Sequence, residues 1–138
     1  MTVSVTSYGD NAQIPGAYDY AYVPDQLIAG NLKIVTDSVT ITGAAALKRG
    51  TVLGKVTTSG SSKACVASAS DGSQNPAAVL VDDVDATAAD VTGAIYQMAE
   101  LNGAALILDA SLTLAAVKAA FRPLGLFVKA AVSAADPS

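Results

Sequence analysis

The sequence predicts a mainly β domain with one short helix near its C-terminus. Three observations carry that expectation. Apolar residues from about position 32 to 98 recur in short runs broken by glycine, proline, serine and asparagine. Of the twelve acidic residues only Glu100 is glutamate, so one of the commonest helix formers is almost missing and turn-forming aspartate dominates. From Ser111 to Phe121 the pattern changes, and Leu114, Val117 and Phe121 stand three and four residues apart.

Residues 1–24 mix Ser, Thr, Asn, Gly, Pro and Tyr without a sustained apolar period, which predicts a flexible N-terminal arm ahead of a domain spanning 25–138. Within the arm Tyr18, Tyr20 and Tyr22 occupy every second position before Pro24. In an extended segment that spacing puts all three rings on one face. Such a row suits a partner's surface; packing on the protein's own sheet is the alternative.

The domain then reads in order. "NLKIVTDSVTIT" alternates Leu32, Ile34, Val39 and Ile41 around a bend expected at "TDS". "GTVLGKVTT" and "KACVAS" flank "SGSS" as the two arms of a hairpin, with Val52 and Leu53 on opposite faces. "DGSQNP" is a dense turn, since Gly72 takes positive φ and Pro76 lacks a backbone donor. "AAVLVDD" and "VTGAIYQM" follow as strands. Thr113 is placed as the cap of a two-turn helix. Pro123 is expected to keep Arg122 out of helical geometry, Gly125 to complete a turn, and a strand to begin near Leu126.

Composition narrows the function classes. With 138 residues the chain forms one domain able to bury a real core. Its formal charge of -4 comes without any basic run, which argues against direct nucleic-acid binding. No apolar stretch approaches the roughly 18 residues of a membrane span. The start lacks the pattern of a signal peptide, so synthesis in the cytoplasm is expected.

The chain has no histidine, and therefore none of the commonest general base and metal ligand. "VDDVDATAAD" gathers Asp82, Asp83, Asp85 and Asp90, but it lacks the glycine and closing glutamate of a calcium loop and reads first as a solvated acidic turn, with a weak cation site and then carboxylate catalysis as the alternatives. "LKRGTVLGKV" has its glycines too close for a phosphate-binding loop; Lys48 and Arg49 read as the exposed start of a strand, with ion pairing as the alternative. Cys65 reads as a small packing residue, with a reactive thiol as the alternative. The expectation is a protein without catalytic residues, cofactor or metal.

"YVPDQLIAGN", "LKRGTVLGKV", "ASASDGSQNPAAVLVDDVDATAAD", "AELNGAALIL" and "LAAVKAAFRPLGLFVK", in that order, resemble the head decoration proteins of lambda-type tailed bacteriophages. The resemblance runs from residue 22 to about 130. It implies a β-clip-like fold and a homotrimer that caps three-fold positions on the outer surface of the expanded head. There, such a protein acts as cement against the pressure of packaged DNA, a virion component made in the bacterial host. It also implies that the arm and the residues after it, including Tyr18, Tyr20, Tyr22, Pro24, Asp25 and Leu27, dock on the major capsid protein. The residues that carry the family's structural pattern are Leu47, Arg49, Gly50, Thr51, Leu53, Gly54, Asp71, Gly72 and Pro76.

Magnitudes explain why such an arm works in threes. Burying three tyrosines stabilises by about 11 to 19 kcal/mol at most, while ordering ten residues costs about 10 to 20 kcal/mol. A single arm therefore binds weakly, and linking three raises avidity by about 10² to 10⁴. A reading from another class is a β-rich module of a phage tail or cell surface that binds glycans through the tyrosines.

Overall fold

The computed structural model describes residues 25–130. Five of its strands close a barrel: β1 (Val35–Ile41), β3 (Val52–Lys55), β4 (Ser62–Ala64), β5 (Pro76–Leu80) and β7 (Val91–Asn102). Their order is β1-β4-β3-β5-β7, and β7 pairs back onto β1. The long antiparallel β1–β7 ladder carries the closure, from Val35 opposite Met98 to Ile41 opposite Val91. At the other side of β1 a single parallel pair, Ile41 with Ser62, completes the ring. A two-stranded ribbon of β2 (Ala46–Leu47) and β6 (Val84–Asp85) packs beside it. Helix α1 (Leu114–Phe121) and strand β8 (Leu126–Lys129) complete the described chain, with β8 parallel to the end of β7.

Ring closure gives each strand an inner and an outer face; in β3 and β5 both are buried, while β1 is exposed over most of its length. Ile41, Leu53, Ala78, Leu80 and Ile95 meet in the inner cluster, joined by Ala86 and by the partly buried Leu47 and Val84 of the ribbon. Val52, Val79 and Tyr96 face outward into a second cluster, where Val117 and Phe121 of α1, Leu126 and Val128 of β8, and Leu27 cover them. This is why "AAVLV" reads as an unbroken apolar run rather than an alternation.

Most local expectations are met. The β3–β4 hairpin pairs Leu53 with Ala64 and Lys55 with Ser62, and Cys65 continues it through its N–H to the Val52 carbonyl at 3.0 Å. The Cys65 thiol is buried, and burial pushes its pKa up, as suits a packing residue. Pro76 opens β5, the one position in a strand where its missing donor is tolerated well. The Thr113 hydroxyl caps α1 by accepting the Ala116 N–H at 3.3 Å.

Three expectations need correction. The "TDS" bend is absent: β1 runs straight through Thr36–Ser38, and its irregularity is a register shift between Val35 and Thr36. The turn-forming Asp37 is accommodated because its carboxylate accepts the Ser38 N–H and the Gln97 side-chain amide, both at 2.8 Å, on an exposed face. Arg122 is helical, at φ −53° and ψ −49°, since Pro123 lies in the first turn of the 3-10 segment Arg122–Leu124, where no donor is required of it. Leu114 does not share the buried face of Val117 and Phe121. It stays 41 % exposed and lies against Gly103.

Candidate functional site

The site grows from the point where the described chain begins. The Asp25 carboxylate accepts the Leu27 N–H at 3.0 Å, a local turn that aims Leu27 into the outer core. From there the backbone runs antiparallel to the end of β7: the Asn102 N–H donates to the Leu27 carbonyl at 2.8 Å and the Ala29 N–H to the Glu100 carbonyl at 2.9 Å. Ile28 bridges Leu101 between them. The Leu32 N–H then donates to the Glu100 carboxylate at 3.0 Å, and Lys129 of β8 holds the other carboxylate oxygen at 2.5 Å. Glu100 thus ties the segment Ala29–Leu32 to both β7 and β8.

Arg49 is the second tie. Its guanidinium donates through Nε and Nη2 to one Asp25 oxygen, at 2.7 and 2.6 Å. Nη1 donates to the Tyr96 hydroxyl at 2.9 Å and to the Val81 carbonyl. Burial opposes the charge, but the bonds to Tyr96 and Asp25 outweigh it and raise the guanidinium's pKa further. The Leu27 N–H, helped by Arg49, holds the Asp25 carboxyl below its ordinary value. Arg49 itself is positioned by Asp83, whose carboxylate accepts the Arg49 N–H at 2.8 Å and pairs with Lys48 at 2.9 Å. A chain leaving Asp25 toward the N-terminus therefore departs from a fixed point.

Gly50, next to Arg49, is held by the backbone around it. It sits at φ +88°, donates to the Leu80 carbonyl and accepts from Ile107, both at 3.0 Å, and a Cβ there would lie 2.9 Å from the Ala105 carbonyl oxygen. The same built-on Cβ would lie 3.5 Å from Leu27, an ordinary contact, so the positive φ and the Ala105 approach are what require glycine here.

The other residues of the structural pattern lie elsewhere. Leu53 is fully buried, Leu47 packs on the inner cluster, and the buried Thr51 hydroxyl donates to the Lys48 carbonyl at 2.6 Å. Asp71 and Gly72 form the loop before Pro76. There Asp71 pairs with Lys63 at 2.6 Å and accepts the Ser73 hydroxyl at 2.6 Å, which together hold its carboxyl far below the usual carboxylate range. Pro76 pairs with Gly54. Tyr18, Tyr20, Tyr22 and Pro24 lie outside the described residues.

Sequence reading missed Tyr96 and Glu100. Tyr96 was read only as part of a strand, although its place next to the inward Ile95 puts it on the opposite, outer face. The isolation of Glu100 among aspartates was a signal of a different kind: its longer side chain reaches both Leu32 and Lys129. In the acidic run, Asp83 serves Lys48 and Arg49, while Asp85 accepts the Thr87 hydroxyl at 2.6 Å. No group of three or more His, Cys, Asp or Glu among the described residues is placed to hold a metal ion. Among the described residues no helix is long and apolar enough to cross a membrane.

Two outcomes follow. An Arg49→Met chain leaves the Tyr96 hydroxyl and the Val81 carbonyl without their donor, at a cost of about 1 to 3 kcal/mol. Hydrogen exchange at Leu27 and Ala29 is expected to quicken more than exchange at Leu80, and equal change at all three would show that Arg49 does not tie the root. The second outcome concerns acid. Asp25, Asp71, Asp83 and Glu100 all have folded pKa values below their ordinary 3.8 or 4.5. Depressed carboxyls stabilise the fold above the unfolded pKa, and that stability is lost as pH falls through the folded one. Thermal unfolding is thus expected to hold level from neutrality to about pH 5 and to weaken steadily below pH 4.5.

A family model for the bacteriophage lambda head decoration protein D matches residues 20–127. No curated protein matches the chain. The matched span takes in Tyr20 and Tyr22, the whole barrel, α1 and all but the last two residues of β8. Covering well over half of the sequence, it establishes that the chain belongs to the bacteriophage lambda head decoration protein D family, a family of phage head decoration proteins.

Proposed function

We propose that this protein binds as a homotrimer of β-clip type at three-fold sites on the outer surface of an expanded phage head and stabilises the shell against packaged DNA. Residues 1–24 act as the docking arm on the major capsid protein, and residues 25–138 form the decoration domain. The role is structural and asks for no catalytic group or cofactor.

The observation that carries this reading is the fixed root at Asp25 to Leu32, held by Arg49 on one side and Glu100 on the other. An arm that transmits load to a shell needs a rigid point of departure, because a slack joint would dissipate the gain of each contact in conformational entropy. The alternate tyrosines supply side chains for pockets along an added strand, a recognised way for an extended segment to join a sheet edge.

Co-sedimentation with expanded, DNA-free heads of the cognate phage tests the arm. Full-length protein is expected to saturate the shells, and a chain of residues 25–138 is expected to remain in the supernatant while unfolding at the same temperature. Equal sedimentation of both would place docking in the domain instead.

A further inference from the structure

The described chain ends in an open sheet edge. Strand β8 pairs with β7 on one side and is the last strand of its sheet, with no second strand partner among the described residues. Its side chains alternate: Leu126 and Val128 go into the outer core, while Phe127 is 40 % exposed and Lys129 points out as well. Beside it lies α1, whose Lys118 and the Arg122 that follows it stand four residues apart on one face. These two cations and residues Leu126–Lys129 line one groove of about 210 Å³.

The charge in this groove is unusual for the molecule. The chain carries only eight basic residues against twelve acidic ones, and three of the eight line this one groove. Lys129 already pairs with Glu100. Lys118 and Arg122 have no carboxylate partner among the described residues, unlike Lys48, Arg49 and Lys63. An unpaired strand edge flanked by two uncompensated cations and an exposed phenylalanine offers backbone pairing, charge and apolar contact together. Edges left open in this way are normally covered or blunted.

We infer that the β8 edge is a second docking site, one that receives an extended acidic segment of a partner protein as an added strand. The segment's backbone pairs with Leu126–Lys129, its carboxylates meet Lys118 and Arg122, and an apolar side chain two residues along covers Phe127. Charge complementarity selects the occupant: a basic segment would be repelled by the two free cations. This contact is separate from the N-terminal arm, so it stands or falls independently of the proposed arm docking.

The test uses the isolated full-length protein and a synthetic peptide alternating aspartate with valine, with a lysine-valine peptide as control, followed by amide chemical shifts in NMR. Saturable shifts are expected at Lys118, Arg122 and Leu126–Lys129 with the acidic peptide alone. They should weaken at least about tenfold in a Lys118→Gln, Arg122→Gln chain, whose exposed substitutions leave the fold intact. A similar response to the lysine-valine peptide, shifts confined to other elements, or no saturable response would overturn the inference. So would shifts at β8 that appear on concentrating the protein without peptide, which would assign the edge to a second copy. Binding of the acidic peptide only after residues 131–138 are removed would assign it to the chain's own end and overturn the inference equally.

Discussion

A Gly54→Ala chain is expected to lose about 3 kcal/mol or more of stability, the upper end of the overpacking range. The position is central to β3 and fully enclosed, opposite Pro76 on one side and Lys63 on the other. A Cβ built there would lie 1.9 Å from the Ser73 carbonyl oxygen and 2.5 Å from its carbon. Both obstructing atoms are backbone, so no rotamer change relieves the contact and the Asp71–Asn75 loop has to move. That loop is fastened by the Lys63–Asp71 pair and by the Thr57 N–H donating to the Asp71 carbonyl at 2.8 Å. Thermal unfolding at fixed protein concentration is expected to fall by roughly 10 °C or more. Adding Ser73→Gly should give no rescue, since the clash is not with a side chain. An unfolding temperature within roughly 3 °C of the parent would contradict the close β3-to-loop approach.

Phe121→Ala is expected to be at least as costly, at about 3 to 5 kcal/mol. Phe121 is fully buried at the end of α1, and with Val117 it covers the outer faces of the barrel strands. Removing its ring leaves a cavity that the rest of the outer cluster, held by the strands that carry it, fills poorly. Urea unfolding should show a lower midpoint with an unchanged slope, the mark of lost stability without a changed unfolding surface. Leu124→Ala is the contrast: that side chain is 48 % exposed one turn away, and its loss should stay within about 0.5 kcal/mol. Similar losses for the two would mean that α1 is not the lid of the outer core.

The longer strands, the hairpin and the helix cap were legible in the sequence because each rests on local chemistry, and the family because its segments recur in order; the β2–β6 ribbon was not, since it places Val84–Asp85 of the expected acidic turn in a strand. Thr113 caps whatever helix follows it, and the loop between Lys55 and Ser62 closes a hairpin by its own turn residues. Barrel closure was not legible, since the β1–β7 ladder joins residues fifty or more positions apart and no local period announces such a pair. The same long-range pairing overrode the turn preference of "TDS", which a strand can absorb on an exposed face. At the site, Arg49 was legible as a cation near acids, but its three roles required Tyr96, Val81 and Asp25 to meet in space. The role of Glu100 was not legible for the same reason: its partners, Leu32 and Lys129, lie near opposite ends of the domain's sequence.

These long-range ties hold the start of the described chain on the barrel, the platform that the proposed grip on a shell requires. Acid, Arg49→Met and arm deletion probe the parts separately. The whole is tested most directly by electron cryomicroscopy of expanded heads saturated with the full-length protein. Three copies are expected on the outer surface around each three-fold axis, with density continuing from Asp25 into contact with the capsid protein. Heads that remain bare at the three-fold sites, or copies bound with the Asp25 end directed away from the shell, would contradict it.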